Sequence, residues 1–232
     1  MKVLVIIPAY NEEESISKVI DKLKIDFPTA DYIVVNDCSR DDTLKVLKDK
    51  KASYVNLPLN LGIGGGVQTG YKYARDNGYD IAIQIDGDGQ HDTQFLDTVI
   101  EPICTGEAEI VIGSRFINKE GFQSTGMRRF GIKFLSALIR VCCGTKVHDV
   151  TSGFRAVSGK YIEMYALDYP VDYPEPEAIV RASLAGAKIK EVPVVMKERE
   201  GGTSSIYAWK SIYYMIKVSL AIILCRISNK RS

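Results

Sequence analysis

Cysteine is scarce in this sequence, and its spacing excludes two common ways of stabilising a small protein. The 232 residues contain five cysteines, an odd number without a CxxC pair. A disulfide framework would need an even set at regular spacing, and a structural zinc site would need closely paired ligands. The sequence therefore indicates neither a disulfide-rich secreted domain nor a zinc domain, and it favours a reducing, cytosolic setting.

Long hydrophobic runs are also absent. The most apolar segment near the C-terminus, VSLAIILC at 218–225, ends after eight residues between Lys217 and Arg226, whereas a helix that spans a bilayer needs about 20. The N-terminal segment MKVLVIIPAYNEEES becomes acidic too soon for a signal peptide and predicts a first strand instead. No internal repeat or low-complexity linker divides the chain.

These features predict one main domain, residues 1–205, followed by an amphipathic helix within residues 206–232. Tyrosines, a tryptophan and lysines flank the apolar segment of this helix. Such a composition is typical of a helix that lies in the membrane–water interface. A helix buried in the core or in a dimer interface is the alternative.

The two halves of the chain carry opposite charges, although the net charge is only +1. Residues 1–114 contain 11 Lys or Arg against 19 Asp or Glu, and residues 115–232 contain 19 against 10. This asymmetry indicates a metal or sugar site in the first half and an anionic partner for the second. Solvated surfaces without a specific partner are the alternative.

Strand and helix patterns alternate along the first half of the chain. The hydrophobic runs predict five strands, at 3–7, 32–36, 53–57, 81–85 and 110–113. Helical patterns with short connections lie between them, so we expect an α/β fold with a mostly parallel sheet and helices on both faces. Ligands bind such sheets outside the carboxyl ends of the strands. The polar loops that follow the strands, at 8–12, 36–41, 60–66 and 86–92, should therefore meet at one rim.

Two aspartates stand one residue apart after the fourth of these strands, in the segment QIDGDGQHD. Asp86 and Asp88 offer hard oxygen ligands, Gln90 adds a carbonyl oxygen, and Gly87 lets the backbone turn close to an ion. Mg2+ or Mn2+ that bridges to a diphosphate suits such a group. A turn with surface acids is the alternative interpretation.

Seven segments in order give the sequence a resemblance to a known family. They are VIIPAYNEEESI, VVNDCSRDDT, NLGIGGGVQTGYKYA, QIDGDGQHD, VIGSRF, DVTSGFRAV and KIKEVPVVMKEREGGTSSI. In order and spacing they are similar to family 2 glycosyltransferases with the GT-A fold, over about residues 1–205. Among these the sequence looks most like the polyprenyl-phosphate glycosyltransferases of the dolichol-phosphate mannose synthase type and their bacterial relatives.

The resemblance implies a role for each matching residue. The residues implied in nucleotide-sugar binding are Pro8, Ala9, Tyr10, Glu12, Asp37, Gly65, Asp86 and Gly87. Those implied in catalysis are Asp86, Asp88, Arg115 and Asp149, with Asp86, Asp88 and Gln90 as the metal group. The acceptor phosphate would meet Arg128, Arg129, Arg155 and Arg199. The sequence departs from the family pattern at Asn36, where an aspartate is common, so that Asp37 would contact the base alone.

The implied activity is metal-dependent, inverting transfer of a sugar from a nucleotide diphosphate to undecaprenyl phosphate at the cytoplasmic face of the membrane. UDP-glucose or UDP-N-acetylglucosamine is favoured as donor, and GDP-mannose stays open. A phosphate acceptor is already ionised and needs cations rather than a base, which suits the basic second half of the chain. The implied partners are the membrane surface and a small membrane protein or a second copy, and no nucleic acid. The alternatives are transfer to a hydroxyl of a polysaccharide or glycolipid, and a non-catalytic protein that binds nucleotide sugars.

Overall fold

The computed structural model describes residues 1–118, 120–121, 126–197 and 208–229, without the side chains of 127, 208–212 and 229. In this part of the chain seven strands form one sheet, in the order β3-β2-β1-β4-β6-β5-β7. The strands are β1 Val3–Ala9, β2 Asp31–Asn36, β3 Tyr54–Asn56, β4 Ile81–Gln84, β5 Ile110–Ser114, β6 Arg155–Ser158 and β7 Ile189–Pro193.

The sheet is mostly parallel, as the sequence predicts. β1 runs parallel to β2 and β4, β2 to β3, and β5 to β7. Only β6, among the described strands, runs antiparallel to both of its neighbours, β4 and β5. The sequence analysis missed β6 because the strand has four residues and begins with Arg155, which interrupts the hydrophobic pattern.

Helices cover both faces of the sheet. Their bounds are α1 Ile16–Asp26, α2 Thr43–Asp49, α3 Gly62–Asp76, α4 Leu96–Cys104, α5 Gly126–Cys143, α6 Gly159–Leu167, α7 Pro174–Leu184 and α8 Ala208–Asn229. Alternate residues of β1 enter different cores: Val5 packs in the core with α1 and α4, and Leu4 in the core with α3, α5, α6, α7 and α8. Burial on both faces explains why the central strands are hydrophobic runs without alternation.

The C-terminal helix α8 packs against α5 and α7. Val218 and Ile222 on its inner side belong to the same hydrophobic core as α3 and α6, while Ile216 and Leu220 on its outer side are exposed. Within the described residues, no helix combines the length and hydrophobicity that crossing a bilayer requires. The boundary at residue 205 stays a prediction, but the inner face of α8 is core, as the alternative interpretation had it.

We predict that Ile222→Ala lowers the free energy of unfolding by about 2–5 kcal/mol, because Ile222 is fully buried and its truncation leaves a cavity. The control is Leu224→Ala on the same helix, where the side chain is 62% exposed, and its effect should stay within about 0.5 kcal/mol. Urea unfolding followed by circular dichroism measures both. Equal, small effects would show that α8 does not contribute to the core.

Candidate functional site

The loops after β1, β2 and β4 meet at the carboxyl rim of the sheet, as the sequence predicts. Pro8 and Ala9 end β1, and the backbone N–H of Asp37 after β2 donates to Ala9 O at 2.9 Å. Tyr10 is exposed beside them, and the Glu12 N–H donates to Thr43 Oγ1 at 2.9 Å. The residues implied in nucleotide binding therefore occupy neighbouring positions.

Asp37 is buried at this rim and holds the loop that leads into α3. Its Oδ1 accepts from the Leu61 N–H at 2.7 Å, and its carbonyl accepts from Asn60 Nδ2 at 3.0 Å. Gly65 lies in the first turn of α3, where a Cβ would be 2.4 Å from the Cβ of Leu61. A substituted residue 65 would thus displace the segment that Asp37 anchors.

Asn36, the departure from the family pattern, has a structural role. Its Nδ2 donates to Asn56 Oδ1 at 2.6 Å, which joins β2 to β3, and its Oδ1 accepts from Ser39 Oγ at 2.5 Å. The amide thus uses both its donor and its acceptor group. A carboxylate at this position would lose the donor.

The Asp86–Gln90 loop follows β4 and packs against the end of β1. A Cβ at Gly87 would lie 3.1 Å from Pro8 O, so the close packing favours glycine here. Ser15 Oγ donates to Gly87 O at 2.7 Å, and the Gln90 N–H donates to Asp88 Oδ1 at 3.0 Å. The loop is thereby fixed to the β1–α1 segment.

His91 orients Asp86. The Asp86 N–H donates to His91 Nδ1 at 2.9 Å, so the neutral ring carries its proton on Nε2, which lies 3.7 Å from Asp86 Oδ2. The ring stacks on Phe154 with centroids 5.1 Å apart. These contacts favour an orienting role over that of a base.

The residues present suit a metal ion that arrives with its substrate. Among the described residues, no three Asp, Glu, His or Cys side chains are grouped so that they could hold an ion. Asp86 and Asp88 supply two carboxylates, and Mg2+ is commonly bound by one or two carboxylates together with substrate phosphates. Gln90 Nε2 donates to Lys197 O at 3.3 Å. The assignment of Gln90 to the metal group therefore stays a prediction.

Arg115 and Asp149 form a buried ion pair after β5. Arg115 Nε and Nη2 donate to the two carboxylate oxygens of Asp149 at 2.7 and 2.6 Å, and the Arg115 N–H adds a bond of 3.0 Å. The Asp149 N–H donates to Glu191 Oε1 at 2.8 Å. Because both of its oxygens are engaged, Asp149 is placed to hold Arg115 rather than to take a proton.

The start of α5 carries two further cations, of which Arg128 lies near the Arg115–Asp149 pair. Arg128 and Arg129 are both exposed. Partial burial by the surrounding protein, and then the positive charge of Arg115, lower the pKa of the Arg128 guanidinium, while Asp149 and Glu175 act in the opposite direction. Arg128 therefore lies in the field of Arg115. Arg199, also expected at the acceptor phosphate, lies outside the described residues.

Arg155 is placed differently from the expectation. Its side chain is fully buried at the start of β6, where Nη2 donates to Ser152 O at 2.6 Å and Nη1 to Glu175 O at 3.2 Å. Direct contact between Arg155 and an acceptor phosphate conflicts with this enclosure. A sequence alone gives no sign that one arginine of several is internal.

Glu175 adjoins the site, and the sequence offers two interpretations of it: a residue that shapes the acceptor side, or an acid that favours the start of a helix. It lies in the first turn of α7. Burial raises the pKa of its carboxyl group; the Arg155 guanidinium opposes this shift, and the Asp86 carboxylate adds to it. In the sequence, PEPEA reads equally well as an ordinary helix start.

Comparisons with known proteins agree with this geometry. Residues 4–165 match the sequence model of the family described as Glycosyl transferase family 2. The undecaprenyl-phosphate mannosyltransferase of Micrococcus luteus is 30% identical over 215 residues, which cover 89% of this chain and 88% of the relative. The UDP-N-acetylglucosamine–dolichyl-phosphate N-acetylglucosaminyltransferase of Methanococcus voltae is 29% identical, with coverage of 96% and 98%.

A solved structure supports the fold. Glucosyl-3-phosphoglycerate synthase from Mycobacterium tuberculosis, in complex with Mn2+, UDP-glucose and phosphoglyceric acid, superposes with a TM-score of 0.74 at 22% identity. The match covers 97% of this chain and 79% of that chain. The expected GT-A fold is confirmed.

We predict that Arg115→Met lowers the free energy of unfolding by about 3–5 kcal/mol, because it leaves the Asp149 carboxylate buried without its partner. The matched control is the double variant Arg115→Met with Asp149→Leu, which removes both charges and should recover most of that loss. Urea unfolding of the wild type and the two variants measures the difference. If the double variant loses even more stability than Arg115→Met alone, the two side chains do not form a coupled pair.

Proposed function

Because the chain belongs to glycosyl transferase family 2, we propose that it moves a hexose from a nucleotide diphosphate to a polyprenyl phosphate at the cytoplasmic face of the membrane. One observation carries the proposal. The carboxylates Asp37, Asp86 and Asp88 share a rim with the cationic start of α5, and a hydrophobic, acid-free helix pair adjoins it. The names of both sequence relatives specify polyprenyl-type phosphate acceptors, which supports this acceptor class.

The donor half of the reaction would use the acidic loops. The Asp37 carboxylate is suited to accept a hydrogen bond from the N–H of a uracil base, which favours UDP-glucose or UDP-N-acetylglucosamine. A Mg2+ or Mn2+ ion held by Asp86 and Asp88 would neutralise the charge of the departing diphosphate. The two sequence relatives differ in their named sugar, so GDP-mannose is tested beside the uridine donors.

The acceptor half would need cations and no general base. A lipid phosphate is ionised at neutral pH, and Arg128 and Arg129 are the exposed cations that could position it. Arg115, held by Asp149, would keep a third positive charge nearby. Direct attack of the phosphate oxygen on the anomeric carbon then inverts its configuration.

Transfer to a sugar hydroxyl is the second candidate, and Glu175 is the observation that favours it. A hydroxyl acceptor needs a base near its proton, and burial raises the pKa of this carboxyl group, which makes the carboxylate a stronger base. The cationic surface beside Glu175 argues for the phosphate.

The outer sides of α5 and α8 form an apolar surface, here called the α5–α8 face. The two helices pack closely, since a Cβ at Gly131 would lie 3.1 Å from Met215 Sδ. They carry seven Lys or Arg and no Asp or Glu. The exposed apolar residues of this face are Phe130, Phe134, Val141, Tyr213, Ile216, Leu220, Ile223, Leu224 and Ile227. An apolar surface with only positive charge suits an anionic bilayer, so we propose peripheral membrane association through it.

The proposed reaction predicts that label from a UDP-hexose passes into the organic phase when undecaprenyl phosphate and Mn2+ are supplied. EDTA should abolish transfer, and Asp88→Ala should reduce it by at least about 100-fold while the circular dichroism spectrum stays unchanged, because a direct metal ligand is lost. Asp97→Ala, an exposed acid on α4, is the control. Full turnover in chelator would contradict the metal, and label found only in water-soluble polymer would favour the hydroxyl acceptor.

The proposed membrane surface predicts that the double variant Ile216→Ser with Leu220→Ser binds more weakly to vesicles that contain about 30% of the anionic lipid phosphatidylglycerol. Each side chain contributes about 1.5 kcal/mol or more when it leaves water, so vesicle partition should fall at least about tenfold. Transfer to a short, water-soluble prenyl phosphate should persist. Ile25→Ser is the control, because Ile25 is an apolar residue on α1 that is even more exposed than Ile216 and Leu220. Vesicle flotation measures the binding, and unchanged flotation of the double variant would contradict the proposed membrane association. A shift of the double variant from dimer to monomer on gel filtration would instead assign the α5–α8 face to contact with a second copy of the chain.

A further inference from the structure

We infer that buried Arg155 and Gly153, two residues before it, form a support that sets the position of the Asp86 carboxylate. Arg155 is then a positioning residue for the donor side rather than a ligand of the acceptor phosphate. The inference rests on the proposed function, in which Asp86 binds the metal ion of the donor. It assigns a role to a side chain that no substrate would touch.

Gly153 allows Asp86 to lie against the backbone. A Cβ at Gly153 would be 3.0 and 3.1 Å from the two carboxylate oxygens of Asp86 and 3.2 Å from Nε2 of Gln84. The φ angle of Gly153 is not among the positive ones, so space rather than backbone conformation favours glycine at this position. A side chain here would crowd the partly exposed Asp86 carboxylate and shift it by a few tenths of an ångström.

Arg155 holds Gly153 in place. Its Nε and Nη2 donate to the carbonyl of Ser152, the residue before Gly153, at 3.2 and 2.6 Å. Its Nη1 donates to Glu175 O at 3.2 Å. One buried cation therefore fixes both the segment that adjoins Asp86 and the start of α7. Ser152 Oγ adds a bond of 2.7 Å to Gly113 O, which attaches the same segment to β5.

The surroundings of Arg155 are more polar than stability requires. Gln84 pairs with Arg155 across the sheet, and both atoms of its amide are buried without a hydrogen-bond partner among the described residues. The hydroxyl groups of Tyr71 and Tyr169 share this condition, and the two rings pack 5.4 Å apart in the field of Arg155. Each of these groups has left water without gaining a hydrogen bond from the described residues, which lowers the stability of the fold. A core built for stability alone would hold apolar residues here, which indicates that the charge serves the neighbouring site.

The first test is Gly153→Ala, with Gly159→Ala as the matched control, because a Cβ at Gly159 meets only Asp80 O at 3.6 Å. Electron paramagnetic resonance titration measures Mn2+ binding in the presence of UDP. Gly153→Ala should weaken it by about 10–100-fold, the usual effect of disturbing the support of a metal ligand. The KM for the donor should rise, while the KM for lipid phosphate and the urea midpoint stay near those of the wild type. Mn2+ binding as tight as in the control would overturn the inference.

The second test compares Arg155→Lys with Arg155→Met. Lysine keeps the charge and one carbonyl contact, so Mn2+·UDP binding should fall less than in the methionine variant. A raised KM for lipid phosphate with unchanged Mn2+·UDP binding would overturn the inference and restore Arg155 to the acceptor site. If the wild type itself bound no Mn2+·UDP, the proposed function would fail with it. If the wild type is active and the Arg155 variants bind Mn2+·UDP as tightly as it does, only the positioning role is overturned.

Discussion

The parallel alignment of β1 with β2 and β4 is the constraint on which the donor side depends. Ala9 pairs with Asn36, and Ile6 pairs with Gln84, so the three strands end within a few residues of one another. Asp37 and Asp86 follow directly. Because each strand is buried on both faces, a shift of register would move buried side chains into the wrong core. The geometry of the rim is thus fixed by hydrophobic packing along the strands.

The antiparallel strand β6 brings the second half of the chain to the same rim. A parallel strand would deliver its carboxyl end there, whereas β6 begins at the rim with Arg155 opposite Gln84. The segment before it, which contains Asp149 and Gly153, therefore lies between the ends of β4 and β5. Arg115 after β5 is thereby within reach of Asp149, 34 residues away in sequence. An acidic half and a basic half of the chain meet at this point.

Much of the fold and of the site is predictable from local sequence patterns, whereas the features that depend on long-range contacts are not. The hydrophobic runs of β1 and β4 and the glycine-spaced aspartates Asp86 and Asp88 are visible in any short window. The pairing of Arg115 with Asp149 and the enclosure of Arg155 depend on which strands become neighbours, and no local signal carries that. Within α8, the segment 218–225 is apolar on all sides, which is equally consistent with a core helix and with an interfacial helix. The structure shows that its inner side is core, and the proposed membrane contact concerns its outer side.

Helix α8 connects the proposed membrane surface with the acceptor side of the site. The ring of Tyr214 on α8 meets that of Tyr173 edge to face at 4.6 Å, and Lys217 pairs with Asp172. Tyr173 has a φ of 52°, a left-handed conformation that costs about 1–2 kcal/mol for a residue with a side chain, and the ring contact helps to offset this cost. Glu175 follows two residues later. A helix whose outer side contacts lipid would therefore also hold the start of α7 through Tyr214 and Lys217, so the proposed membrane contact and the acceptor side of the site are linked through one helix.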